Sequence, residues 1–107
     1  MEKRREFILK VVCCFYGLEL SKLQIHLLTE LCCLYYNSQI SLTTFNRRKI
    51  KNYLGTSYAT FTNTLRLLED KKIIEKKGKI NNTTIYFLSD PELEMAVLEL
   101  EYKIEIG

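Results

Sequence analysis

The 107-residue chain predicts a mainly α-helical domain with one small β-hairpin, an α+β fold, on three observations. Apolar residues recur at three- and four-residue spacing in successive segments, several of which open on a side chain able to cap a helix. Residues 73–88 break that rhythm: a run opened by Ile73-Ile74 and a return run rich in Thr, Ile, Tyr and Phe flank a basic and polar tip. One proline and four glycines in a chain that is 47% hydrophobic leave no linker, so a single domain over 1–107 is expected.

The first helix is expected over 3–16, from Lys3 to Tyr16, on the stripe Phe7, Ile8, Val11, Val12, Phe15 and Tyr16, ending near Gly17. Ser21 followed by Gln24 makes a capping box. The stripe Leu23, Leu27, Leu31, Leu34, with Ile25, Leu28 and Tyr35, carries a second helix to about Tyr36, where Asn37-Ser38 stops it. Gln39 to Leu42 is a short strand. Thr43-Thr44 caps a third helix with Phe45, Ile50 and Leu54 as its core face, and Gly55 ends it in the left-handed conformation. Thr56 or Ser57 then caps a fourth helix to about Lys71, with Phe61, Leu65 and Leu68 facing inward.

Ile73-Ile74 opens the hairpin, with a first strand to about Lys77, a tip from Gly78 to Asn82 and a return strand from Thr83 to Leu88. Asp90-Pro91-Glu92 starts a last helix, with cap, proline and first-turn acid in favoured places. Residues 98–106 also alternate as a strand would; the helix, from about Pro91 to Tyr102, is the reading adopted. It carries two apolar stripes: Leu93, Ala96, Val97, Leu100 and Ile104 for the core, and Met95, Leu98, Tyr102 and Ile106 on the opposite side. The second stripe and the N-terminal helix suggest a homodimer built on segment 90–107 and helix 3–16.

The net charge of +3 conceals a separation along the chain. Residues 45–79 hold ten basic and three acidic side chains, a local +7, and residues 90–107 six acids and one lysine, a local −5. That distribution fits one face built for a polyanion and another turned away from it, and equally a solvated surface of uneven charge. Lys10 interrupts the N-terminal apolar run and no small-residue cleavage site follows, so no signal peptide is expected. No apolar run reaches the ~18 residues of a membrane span. A cytoplasmic protein, in its own cell or in a host's, is the expectation.

Cys13-Cys14 and Cys32-Cys33 are adjacent pairs, and neighbours on a helix point about 100° apart, which argues against a shared zinc ion. They are expected as small core or boundary residues; a disulfide between the two segments stays open for a hyperthermophilic source. His26 is the sole histidine and sits in an apolar helical stretch. No phosphate loop, nucleophile elbow or metalloprotease motif is present. A non-enzyme without cofactor, metal or small-molecule substrate is expected.

The order helix, strand, helix, tight turn, helix, hairpin over about 21–89 resembles the winged helix-turn-helix family, closest to MarR-like regulators and to phage and plasmid repressors. The wording that carries the resemblance runs from Ile50 to Glu69: a helix ending in Leu54-Gly55, a Thr56-Ser57 cap and Leu68-Glu69 before the wing. Ile73-Ile74-Glu75-Lys76-Lys77 is similar to the first wing strand. Lys72 stands where the family often has glycine.

The resemblance implies double-stranded DNA as partner, a recognition helix over 57–71 in the major groove and a wing over 73–88. With Phe61, Leu65 and Leu68 buried, Tyr58, Ala59, Thr62, Asn63 and Arg66 fall on the outer side of that helix, with Ser57 and Thr60 at its first turn. Asn pairs with adenine, Arg with guanine, and Thr methyls and the Tyr ring touch thymine methyl groups. Arg47, Arg48 and Lys51 on the third helix and Lys76, Lys77 and Lys79 in the wing suit phosphates, although Arg47 and Arg48 also suit neighbouring acids.

A dimeric transcription regulator is the expected function. The rival is a protein-binding assembly or virion subunit that keeps the fold without reading DNA, and a third reading is a ligand- or redox-responsive sensor built on the cysteine pairs. Lys, Ile, Asn, Tyr and Phe supply 39 residues against 12 from Gly, Ala, Pro and Arg, a bias that points to an AT-rich source such as a virus, phage or mobile element.

Overall fold

Five helices and four short strands follow in the order α1 (Glu2–Tyr16), α2 (Lys22–Cys33), β1 (Tyr35–Tyr36), β2 (Gln39–Leu42), α3 (Thr44–Leu54), α4 (Tyr58–Asp70), β3 (Ile74–Ile80), β4 (Thr83–Leu88) and α5 (Pro91–Ile106). This computed structural model describes residues 2–106, and the side chains of 3–100. The mainly helical fold with a small antiparallel sheet is therefore the one expected. The strands pair antiparallel in the order β1-β2-β4-β3.

Local chemistry sets the helix starts. Gln24 N donates to Ser21 Oγ at 3.2 Å while Ser21 N donates to Gln24 Oε1 at 3.0 Å, the reciprocal capping box. Asn46 N donates to Thr43 Oγ1 at 3.0 Å and Thr60 N to Ser57 Oγ at 3.1 Å. Asp90 Oδ1 accepts from the N–H groups of Glu92 and Leu93, and Tyr16 donates its hydroxyl to Asp90 Oδ2, which ties the start of α5 to the end of α1.

The core joins Ile8 and Val12 of α1, Leu27, Leu28 and Leu31 of α2, Phe61 and Leu68 of α4, Ile40, Leu42 and Tyr86 of the sheet, and Leu93 and Val97 of α5. Burying one such aliphatic side chain stabilises the fold by about 1.5–3 kcal/mol. Among the described residues no helix is long and apolar enough to cross a membrane.

Several boundaries differ from the sequence expectation. The second helix ends at Cys33, because Asn37 and Ser38, at φ 54° and 66°, form a tight left-handed turn that folds Tyr35 and Tyr36 back onto Ile40 and Gln39. Phe45 is 68% exposed and not part of the core face. It lies five positions before Ile50, about 140° around the helix, whereas Ile50 and Leu54 are a true i, i+4 pair.

The hairpin's first strand continues to Ile80 and its turn is Asn81-Asn82 alone, at φ 49° and 67°, so Gly78 belongs to the strand. The last helix runs past Tyr102 to Ile106, and α1 packs against it within the same chain. Met95 and Leu98 remain exposed; the side chains of Tyr102, Ile104 and Ile106 lie outside the described residues. All four cysteines are free; Cys32 is buried and Cys33 half-buried, but Cys13 and Cys14 are exposed, on the side of α1 away from Ile8 and Val12.

Candidate nucleic-acid interface

Only Gly55, Thr56 and Ser57 separate α3 from α4. Gly55 takes φ 65°, and its N–H bonds back to Asn52 O while Thr56 N–H reaches Lys51 O, closing the end of α3. Ser57 reopens the helix immediately. On α4, Phe61, Thr64, Leu65 and Leu68 are buried, and Thr64 donates its hydroxyl to Thr60 O.

The other side of α4 is open. Tyr58, Ala59, Thr60, Thr62, Asn63 and Arg66 are all exposed, as the helical spacing requires. Their polar atoms partly engage one another: Arg66 Nη2 donates to Asn63 Oδ1 at 2.9 Å, and Ser57 Oγ, already the cap, donates to Thr60 Oγ1 at 3.1 Å. Lys51 places its ammonium 5.0 Å from the centre of the Tyr58 ring, beside the N-terminus of α4. Cation and helix dipole together make that corner electropositive.

The hairpin divides its lysines between two faces. Lys76 opposes Tyr86 and Lys79 opposes Thr84, whereas Gly78 opposes Ile85. Strict alternation along β3 would put residues 76 and 79 on opposite faces. The bulge at Lys77 inserts one residue and restores Lys79 to the face of Lys76. Lys77 itself sits 5.2 Å from the centre of the Phe87 ring, on the outer face.

Lys76 and Lys79 therefore look into a cleft of about 270 Å³ between α4 and the hairpin, with Arg47, Arg66, Glu69 and Tyr86 among its other walls. Arg47 reaches it from α3. Its Nη2 donates to Thr84 Oγ1 at 3.0 Å, and its Nε is shielded from solvent with no acceptor. Arg47 thus pairs with a hydroxyl and not with an acid. Burial pushes the Tyr86 phenol up to about 12, helped by Glu69 and opposed by Arg47, so Tyr86 stays a neutral O–H near neutral pH.

Of the residues read from the sequence, Arg47, Thr62, Arg66, Lys76 and Lys79 are brought around one cleft. Ser57, Tyr58, Thr60 and Lys51 cluster at the first turn of α4, and Asn63 bridges the two groups through Arg66. Arg48 is exposed on α3 and Lys77 faces away; neither lines the cleft. Thr84, Tyr86 and Glu69 are cleft residues that sequence reasoning missed. The i, i+2 spacing of Thr84 and Tyr86 on a strand was the available signal, but it needed the bulge to connect it to Lys76 and Lys79.

The arrangement supplies cations, hydroxyls and an amide on a convex helix beside a cationic hairpin. Comparison with known proteins finds no matching family model, no similar curated protein and no similar solved structure, so function has to be read from these residues themselves.

Proposed function

We propose that the chain is a double-stranded DNA-binding protein of winged helix-turn-helix type that regulates transcription, with α4 in the major groove and the β3–β4 hairpin against the backbone or minor groove. The observation that carries this reading is the openness of α4: Thr62, Asn63 and Arg66 face solvent, with the cationic cleft directly beside them. An α-helix fits the width of the major groove, and Asn and Arg are the side chains that read adenine and guanine there. The acidic stretch 90–107 fits a part of the molecule that does not meet the polyanion, and the protein acts in the cytosol of its own cell or of a host. The exposed Met95 and Leu98 on α5 support association of two copies.

Selection from random duplexes with the full-length protein tests the reading. An enriched motif, repeated at a spacing of about one helical turn for a dimer, is the expected outcome. Six phosphate contacts make log affinity fall with log salt at a slope of about −5. No retained duplex at ~50 mM salt would transfer the fold to the assembly role.

A further inference from the structure

Tyr53, near the end of α3, is 60% exposed and lines two open hollows of about 570 and 730 Å³. The first lies against the start of α2, with Lys22 and His26 in its walls, and the second against α1 and the rest of α3, with Arg5, Lys49 and Asn52 in its walls. Neither shares a residue with the α4–hairpin cleft. Lys49 and Tyr53 are i, i+4 neighbours on α3, as Lys22 and His26 are on α2, so each helix turns one cation and one ring to this track.

The Tyr53 ring is held in place. The Arg5 guanidinium lies 5.0 Å from its centre, and Arg5 in turn donates Nε and Nη2 to the two carboxylate oxygens of Glu30 at 2.7 and 3.1 Å. A cation fixed over one face of a ring that is otherwise largely in water leaves the other face free to stack. The charge around the track is one-sided. Glu30 is the sole acid lining either hollow, and Arg5 occupies it. Lys22 and Lys49, both exposed, have no carboxylate partner among the described residues, and Tyr53, common to both hollows, stands between them.

We propose that this track binds a single nucleic-acid strand: one base stacks on the free face of Tyr53, and the phosphates on either side are held by Lys22 and Lys49. A strand supplies what the track lacks, negative charge at regular intervals with flat rings between. A duplex keeps its bases stacked inside and offers the Tyr53 ring nothing, and an acidic peptide carries the charge without the rings. Base stacking beside a cationic groove is sequence-tolerant, because every base has a π-face, so any unstructured strand serves as a probe. The proposal does not rest on the reading of α4.

The test is fluorescence anisotropy of the full chain with a labelled oligothymidylate of about eight nucleotides, which forms no duplex. Tyr53→Ala is expected to weaken binding by about tenfold, whereas Tyr53→Phe, which keeps the ring, retains it. Lys22→Gln and Lys49→Gln should each flatten the slope of log affinity against log salt by about 0.7, and a strand of the same length without bases should bind about tenfold more weakly than the oligothymidylate. All three side chains are exposed, and melting curves verify that the variants fold. No binding at ~50 mM salt, equal affinity for the baseless strand, or indifference to Y53A would overturn the assignment. So would a loss that follows Lys79→Ala and not Lys49→Gln, which puts the strand on the α4–hairpin face.

Discussion

Replacing Arg47 by methionine asks whether a half-buried cation serves the fold or a ligand. In the free protein Nη2 donates to Thr84 Oγ1 at 3.0 Å, while Nε is buried without an acceptor. A hydrogen bond from a charged donor contributes about 1.5–3 kcal/mol; an unsatisfied buried donor costs about 1–3 kcal/mol. Methionine keeps most of the apolar stem, so the two effects nearly cancel, and pairing the change with Thr84→Val removes the hydroxyl left without its donor. Stability should move by less than about 1 kcal/mol, or by under about 8 °C in Tm for a domain of this size. DNA feels only a loss. With one phosphate contact fewer, affinity should fall by about tenfold and the salt slope should flatten by about 0.9. Thermal melting by circular dichroism and anisotropy of a labelled duplex at several salt concentrations measure the two quantities. A loss of more than ~2 kcal/mol in stability with unchanged DNA affinity would make Arg47 a structural residue and refute the reasoning.

Arg66→Ala should remove about 1–3 kcal/mol of discrimination at one base position, read by competition among single-base variants of the selected duplex, whereas Lys79→Ala should weaken all of them alike. Lys72→Gly should stabilise the chain by about 0.5–1 kcal/mol in urea unfolding, because a left-handed lysine at φ 61° is strained by more than glycine's extra freedom in the unfolded chain takes back. Alkali should destabilise the fold. Burial raises the Cys32 thiol above its ordinary 9.0, so its contribution is whole below pH 9 and disappears as pH rises and only the unfolded chain ionises. Between pH 8 and 10 that loss is about 1.4 kcal/mol, and Cys32→Ala should flatten the pH dependence of urea unfolding by that amount. Tyr16 and Tyr86, both raised by burial, steepen the fall above pH 10.

What was legible in the sequence is what local chemistry decides. Ser21, Thr43, Ser57 and Asp90 cap their helices through contacts two or three residues away, and Phe61, Leu65 and Leu68 share a face through helix geometry alone. Long-range pairing decided the rest. Tyr35 and Tyr36 continue the helical stripe of α2, and only their pairing with β2 takes them out of it. The bulge at Lys77 changes which lysines share a face, and composition does not reveal it. Arg47 meets Thr84 across 37 positions, so that pair was not visible as a motif.

The internal contacts of the α4 face bear on whether that surface is ready to bind or already satisfied. Arg66 with Asn63 is an exposed i, i+3 pair and Lys51 over Tyr58 a surface cation–π contact. Such contacts are worth about 0.2–1 kcal/mol each in water, while a bidentate contact to a base edge discriminates by about 1–3 kcal/mol. On the proposed DNA reading, exchange of these contacts for base contacts is favourable, and the weak contacts limit the rotamers of Arg66 and Lys51 beforehand, which lowers the ordering cost of binding. Arg47 differs in kind. Its hydrogen bond to Thr84 is half-buried and its Nε is shielded from solvent, so its guanidinium is a charge held in place and not a mobile one. On the proposed DNA reading, the weakly held side chains along α4 adapt to the bases while Arg47 is one phosphate contact whose position the fold sets in advance.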